Sequence, residues 1–198
     1  MRRTMTPTRI AIPLAVVLAG CTTKNQSSYL EILRVTPGTF TAASAGSPAS
    51  CIVTPGGLEV DFLNIDLTKR FGQLGVVVVN SLPLNGQPAI NRLNTNDFVA
   101  QQTVVSYEII GSSTAPPQTI SPAQGVAAAG STSTISTFLF PQTAKLGAAI
   151  PANKTVRVTF HIEGKLNDGS SVRTNEYEYV FLTCASAGAV DCSSNQCL

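Results

Sequence analysis

Hydrophobic and polar residues alternate with a period of two along much of this 198-residue chain. The alternating segments are rich in Val, Ile, Phe, Tyr and Thr, which favour β-strands, and clusters of Gly, Pro, Asn and Ser separate them. The segments are 30–35, 58–65, 74–82, 103–110, 134–140, 155–166 and 172–184. No stretch of useful length has the period of an amphipathic helix. The pattern predicts an all-β protein.

The strand at 155–166 has the clearest alternation. Its apolar residues Val156, Val158, Phe160 and Ile162 are predicted to face the core, and the polar residues between them, His161 included, are predicted to face solvent. The sequence 167–169, Asn-Asp-Gly, then predicts a tight turn with positive φ angles. The last strand is therefore expected to return as the hairpin partner of 155–166.

The number and spacing of the strands predict the architecture. About seven or eight short strands over roughly 155 residues indicate an antiparallel β-sandwich of immunoglobulin-like form. The chain has no Trp, so the Cys, Trp and Cys pattern of true immunoglobulin domains is absent. A small barrel is the alternative. The predicted domain covers 29–184, and a Cys-rich tail covers 185–198.

Two segments depart from the alternation. Residues 76–79 are four consecutive valines, which indicates either a central strand covered on both faces or an exposed surface for a partner or lipid. Residues 111–133 consist mainly of Ser, Thr, Ala, Gly and Pro and show no pattern, which predicts a mobile loop, with a binding loop as the alternative.

The N-terminus has the layout of an export signal. Residues 1–9 carry three arginines and no acid, and the apolar run 10–20 leads to Cys21. This run contains Pro13 and is shorter than the roughly 20 residues that a membrane-spanning helix needs. Residues 1–20 are therefore predicted to be a cleaved signal peptide.

The tetrapeptide Leu18-Ala19-Gly20-Cys21 resembles the lipobox of bacterial lipoproteins. The resemblance implies that the Cys21 thiol carries diacylglycerol and that its new amino group carries a further acyl chain such as palmitate. It also implies sorting to the outer membrane, facing the periplasm or the surface, because Thr22 rather than Asp follows. Residues 21–28 are predicted to form a flexible tether that spans on the order of 15 Å.

The later chain resembles uncharacterised envelope lipoproteins of myxobacterial type. The resembling motifs are Val78–Leu82, Asn94–Asp97, Gly164–Gly169, Thr174–Glu176 and the Cys-rich tail. This resemblance supports the envelope location and implies no activity.

The cysteines predict disulfide bonds. The chain has five, and four remain once Cys21 is assigned to lipid: Cys51, Cys184, Cys192 and Cys197. An even number in an exported protein predicts two disulfides, with three pairings open. If both bonds form within one molecule, Cys51 closes a long loop with one of the other three, which contributes about 4 to 5 kcal/mol in the chain-entropy model. The spacing lacks a C-x2-C knuckle, so no metal site is predicted.

Composition and charge narrow the function classes. The chain has 12% charged residues and a formal charge of +2. Cleavage before Cys21 removes three of the 13 basic residues and none of the 11 acidic ones, which leaves a net charge of −1. This charge excludes a strongly basic nucleic-acid surface, and no phosphate-binding motif indicates a nucleotide.

No residue pattern indicates catalysis. His161 is the single histidine, and no G-x-S-x-G sequence accompanies it. We therefore expect a non-catalytic, lipid-anchored envelope protein without a cofactor, with a structural or protein-interaction role. The alternatives are a carbohydrate- or peptidoglycan-binding lipoprotein, which an exposed Tyr29 or Tyr107 favours, and a hydrolase, which a cleft joining His161 to a Ser and an Asp favours.

Overall fold

The computed structural model describes residues 29–41, 45–46, 50–52, 63–66, 73–85, 94–140 and 144–184. These residues form an all-β domain, as predicted, with one short helix. Its elements are β1 (Leu30–Pro37), β2 (Thr39–Thr41), β3 (Ser50–Ile52), β4 (Leu63–Asp66), β5 (Gln73–Asn80), β6 (Phe98–Ile109), β7 (Thr119–Gln124), β8 (Val126–Ala127), β9 (Ser131–Phe138), α1 (Ala144–Ala149), β10 (Thr155–Leu166), β11 (Ser171–Arg173) and β12 (Tyr177–Cys184).

The strands pair almost entirely antiparallel. The main sheet has the order β1-β5-β9-β7-β6-β10-β12-β4, with β11 beside β10 and β8 beside β6, while β2 and β3 form a separate pair. Among the described strands, β12 and β4 make the one parallel pairing. Strand β7 connects the two halves of the sheet, because its first residues pair with β6 and its last two pair with β9.

Asn175, which lies between β11 and β12, connects the far half of the sheet to its first strand, β1. The Ile32 amide on β1 donates to Asn175 Oδ1 at 2.7 Å, and the Asn175 amide donates to the Leu30 carbonyl oxygen at 3.1 Å. The sheet is therefore nearly closed. The prediction of an antiparallel all-β fold is confirmed, whereas the immunoglobulin-like form, with two separate sheets, is not.

The core lies inside this curved sheet. The predicted inward residues Val156, Val158, Phe160 and Ile162 are all at most 1% exposed, and β10 has the bounds predicted for it. Aromatic rings fill one part of the core, where Phe140 packs edge-on against Phe181 with ring centres 4.9 Å apart. The period of two along β10 is therefore a burial pattern, as expected from the alternation of side chains in a strand.

The predicted hairpin after β10 is confirmed, with a break in its second strand. Gly169 has a φ of +90°, and the Leu166 amide donates to the Ser170 carbonyl across a three-residue loop. The returning chain pairs with β10 along β11, breaks at 174–176 and pairs with β10 again along β12. The break occurs where buried Thr174 accepts a hydrogen bond from the Ile162 amide through its side chain, so the chain can turn towards β1.

The prediction of one long loop at 111–133 is wrong. The stretch contains β7, β8 and the beginning of β9. Along it Ser121, Ala123, Ala127 and Ala129 are at most 4% exposed and alternate with exposed neighbours. The inward positions carry small side chains, which fit where the backbone lies close to the opposing strands and which carry little β-propensity signal.

The valine run lies in β5, between β1 and β9. Val76, Val77 and Val78 are 0%, 4% and 0% exposed, so both faces of the strand are covered. The interpretation as a covered central strand is confirmed, and these three valines offer no exposed surface to a partner or lipid.

Candidate functional site

A cleft of about 590 Å³ lies on the outer face of β6, β10 and β11. Its lining is mostly polar and comes from all three strands. The described lining residues are Gln101, Gln102, Val104, His161, Glu163, Gly164, Ser171, Val172 and Arg173. Side chains on a paired sheet are held more precisely than those on loops, so the cleft is a preorganised surface.

A β-bulge in β6 builds one wall of the cleft. Glu163 pairs with Gln102, whereas the next residue, Gly164, pairs with Ala100, so Gln101 has no partner on β10. The extra residue lets both glutamines reach the cleft, as bulges commonly re-aim side chains beside functional sites. The two glutamines are adjacent in the sequence and interrupt the alternation of β6, and this interruption is the sequence signal that could have predicted the bulge.

Gly164 is the residue that permits the bulge. A Cβ at this position would lie 2.1 Å from the Val99 carbonyl oxygen and 2.7 Å from the ring of Phe98. Because glycine has no side chain, the bulged backbone of β6 can lie close to β10 at this position.

Glu163 is the acid at the centre of the cleft. Gln102 Nε2 donates to its Oε2 at 2.7 Å, and His161 Nε2 lies 3.2 Å from its Oε1. The hydrogen bond from Gln102 lowers the pKa of Glu163, and the smaller contributions of His161 and Arg173 act in the same direction, against the opposing effect of burial. The carboxylate is therefore ionised at neutral pH.

Arg173 lies directly opposite Glu163 in the β10–β11 ladder. Oppositely charged residues in this position are close enough to pair. The ion pairs of the described residues nevertheless do not join these two, since Glu163 is bonded to Gln102 and His161 instead. The Nε atom of Arg173 is buried and has no hydrogen-bond partner.

His161 is less exposed than the sequence predicted. Its side chain is 13% exposed and lies against Glu163 rather than standing free in solvent. Ser171 lines the same cleft, but the hydrogen bonds of the described residues include none between His161 and a serine. The Ser, His and acid arrangement that would favour a hydrolase is therefore incomplete in the described part of the cleft.

Exposed apolar residues lie beside the cleft. Ile120 on β7 is 62% exposed and pairs with Val104, which in turn pairs with His161 across β6 and β10. Val126 and Val99 form a second exposed pair, at 52% and 36%. One side of the cleft thus combines polar groups with accessible apolar surface, a combination found at protein interfaces.

A second polar cluster, formed by residues at 80 and 96–97, is structural. The fully buried Asn80 donates through Nδ2 to the carbonyl oxygens of Asn96 at 2.8 Å and Ala127 at 2.9 Å. Asp97 accepts a hydrogen bond from the Ala129 amide at 2.9 Å. These side chains satisfy loop backbone at one end of the sheet. In the residues that the structure describes, no group of three or more His, Cys, Asp or Glu side chains could hold a metal ion.

The predicted lipidation and disulfide residues cannot be placed in this geometry. Cys21, Cys192 and Cys197 lie outside the described residues. Cys51 lies in β3 and Cys184 ends β12, but their side chains are outside the described set. Lipidation and disulfide formation therefore stay predictions.

The two tyrosines singled out in the sequence differ in exposure. Tyr29 is 54% exposed, which meets the condition set for the carbohydrate-binding alternative, but it does not line the cleft. Tyr107 is buried, and its hydroxyl donates to the Leu139 carbonyl oxygen. None of the described helical segments is long and apolar enough to cross a membrane.

Comparison with known proteins adds no family. No protein-family model matches this chain, and no curated protein matches it.

Proposed function

We propose that this chain is a non-catalytic envelope protein, anchored by lipid at Cys21, that binds another protein through the cleft face of β6, β10 and β11. The observation that carries the interaction role is the cleft itself, which combines an unpaired buried donor on Arg173 with exposed apolar neighbours. Such a surface can supply both orientation and apolar contact to a partner.

For the architecture we propose a small, partly open barrel rather than an immunoglobulin-like sandwich. The double pairing of β7 with β6 and β9 supports this, because it continues one sheet around the core. The hydrogen bonds between Asn175 and β1 support near-closure on the opposite side.

The anchor is supported by the lipobox and by the energetics of acyl chains. Each buried methylene contributes about 0.8 kcal/mol, and stable anchoring takes more than one chain, which a triacylated Cys21 would supply. A Cys21→Ser variant should move from the membrane to the soluble fraction. Cys197→Ser is the matched control and should stay in the membrane, and retention of the Cys21 variant would contradict the anchor.

The protein-interaction role can be tested by photo-crosslinking in intact cells. A photoreactive amino acid at Ile120, beside the cleft, should capture a reproducible protein partner. The same amino acid at Leu33 on β1 is the control, because Leu33 is also exposed and aliphatic, at 46%, but lies outside the cleft. Equal capture from both positions, or capture from neither, would contradict an interaction at the cleft.

A glycan-binding role is the second candidate, since the planar polar groups of Gln101, Gln102 and Arg173 can hydrogen-bond sugar hydroxyls. Sugar sites usually also stack the ligand on an aromatic ring, and the described lining residues include no aromatic side chain. Retention of the purified protein on peptidoglycan, lost on Gln102→Ala substitution, would favour this role over a protein partner.

The disulfide proposal has an independent test. Thiol titration of the unfolded but unreduced mature protein should find no free thiol if Cys51, Cys184, Cys192 and Cys197 form two bonds. Four reactive thiols would contradict it.

A further inference from the structure

The strongest unexplained feature of the cleft is the side chain of Arg173. A buried guanidinium nitrogen without a partner costs free energy, because hydrogen bonds to water are lost and none replaces them. A carboxylate lies directly opposite on β10, yet Glu163 is held by Gln102 and His161. Arg173 therefore forms no ion pair with Glu163, although the two residues lie opposite each other.

The charges around Arg173 favour a negatively charged ligand. Lys165 is exposed on β10, on the same face as Glu163, and pairs with Ser171 on β11, so a second cation borders the cleft. Glu163 is the one acid among the described lining residues, and both of its oxygens already have neighbours that stabilise its charge. Arg presents a planar fork of donors that matches the two oxygens of a carboxylate.

The apolar neighbours indicate what the carboxylate belongs to. Val104 lines the cleft, and exposed Ile120 lies directly beside it on β7. An apolar side chain next to the bound carboxylate would cover both residues. A peptide supplies an apolar side chain and a carboxylate at this short separation, whereas a sugar would need an aromatic platform that the described lining lacks.

We propose that the cleft binds a free carboxylate of a partner peptide through the guanidinium of Arg173, with the adjacent apolar side chain on Val104 and Ile120. This inference rests on the proposed interaction function and names the chemistry of the partner. The carboxylate comes from the peptide's C-terminus or from an acidic side chain, and these two sources differ in the test below.

The test is fluorescence anisotropy with the full mature protein in detergent and three short peptides that carry an uncharged fluorophore. The first is Gly-Val-Ile-Val with a free C-terminus, the second is the same peptide amidated, and the third is amidated with Glu in place of the last Val. We expect the first or third peptide to bind at least about tenfold more tightly than the second, because hydrogen bonds to charged groups contribute about 1.5 to 3 kcal/mol. Whichever of the two binds identifies the source of the carboxylate.

Substitutions of two arginines test whether Arg173 is the residue that binds the carboxylate. Arg173→Gln should reduce affinity for the carboxylate peptide by about tenfold or more, and Arg173→Lys should recover part of it, because lysine keeps the charge but loses the planar fork. Arg157→Gln is the matched control. Arg157 lies on the same face of β10 but is already paired with Glu108 at 2.9 Å and with Glu178 at 3.2 Å. Its loss should leave affinity unchanged within about twofold.

Three outcomes would overturn the proposal: binding of both the first and the third peptide no tighter than that of the second, full binding by Arg173→Gln, or binding of none of the peptides at millimolar concentration. Thermal unfolding of each variant shows whether it is folded, and Arg173→Lys serves if the glutamine variant is not. Crosslinking at Ile120 distinguishes failure of the carboxylate proposal from failure of the proposed interaction function. Capture of a partner that persists in Arg173→Gln supports the interaction function and rejects the carboxylate.

Discussion

Replacing Gly164 with alanine tests how the bulge beside the cleft is held. The new Cβ would lie 2.1 Å from the Val99 carbonyl oxygen and 2.7 Å from the Phe98 ring. The carbonyl belongs to the backbone of β6, which is paired with β10, so it cannot rotate away as the end of a side chain can. Overpacking a well-packed site costs about 1 to 3 kcal/mol, and a contact with backbone this short belongs at the upper end, about 3 kcal/mol.

The measurement is the free energy of unfolding of the full chain in urea, together with its thermal midpoint. For a domain of this size, each kcal/mol lowers the midpoint by about 2 to 4 °C, so Gly164→Ala should lower it by about 6 to 12 °C. Gly169→Ala is the control. Gly169 has a φ of +90° and nothing within 4 Å of an added Cβ, so its loss carries only the conformational cost, about 1 to 2 kcal/mol.

A second substitution separates backbone from side chain. Phe98→Leu in the Gly164→Ala background would remove the ring contact but leave the Val99 carbonyl in place, so it should not restore stability. A free energy of unfolding for Gly164→Ala within about 0.5 kcal/mol of the natural chain, the range of ordinary surface substitutions, would refute the predicted backbone contact. Greater destabilisation of Gly169→Ala than of Gly164→Ala would refute it too.

Three further substitutions or titrations follow from the hydrogen bonds. Asn175→Ala should destabilise the domain by about 1 to 3 kcal/mol in urea unfolding, because the buried Ile32 amide loses its acceptor; a change near zero would argue against near-closure by this residue. Burial raises the pKa of Tyr107, so stability should fall as the pH rises above 10, where the unfolded chain ionises first; Tyr107→Phe should flatten this fall while losing the bond to the Leu139 carbonyl, and an unchanged alkaline slope would contradict it. The lowered pKa of Glu163 predicts a small contribution to stability that is present above its ordinary value of 4.5 and is lost as the pH falls below it; a Glu163→Gln variant with the same acid slope as the natural chain would contradict this.

The sequence predicted the strands wherever large apolar residues alternate with polar ones. Strand β10 has the predicted bounds, and β1 and β5 begin within one residue of theirs. This signal is local, because successive side chains of a strand point to opposite faces whatever the strand pairs with. It failed along 119–127, where the inward residues are Ser and Ala, because small side chains can be buried without being strongly hydrophobic.

The alternation of polar and apolar residues predicted only part of the candidate site. The pattern placed His161 and Glu163 on the outer face of β10, and that placement is correct. It gave no reason to connect them with Gln102 and Arg173, since the hydrogen bond between Gln102 and Glu163 joins residues 61 positions apart. The register of three strands brings these side chains together.

The sequence by itself determined that the chain folds as β-structure, which residues of its best strands are buried, and where its glycine turn lies. It also carries the predicted export signal and lipid attachment, because enzymes read such signals as linear sequence. The tertiary structure decided the break at 174–176, the bulge at Gln101 and the cleft beneath it. These depend on which strand lies beside which and in what register, and a one-residue change in register would have turned the same side chains into the core.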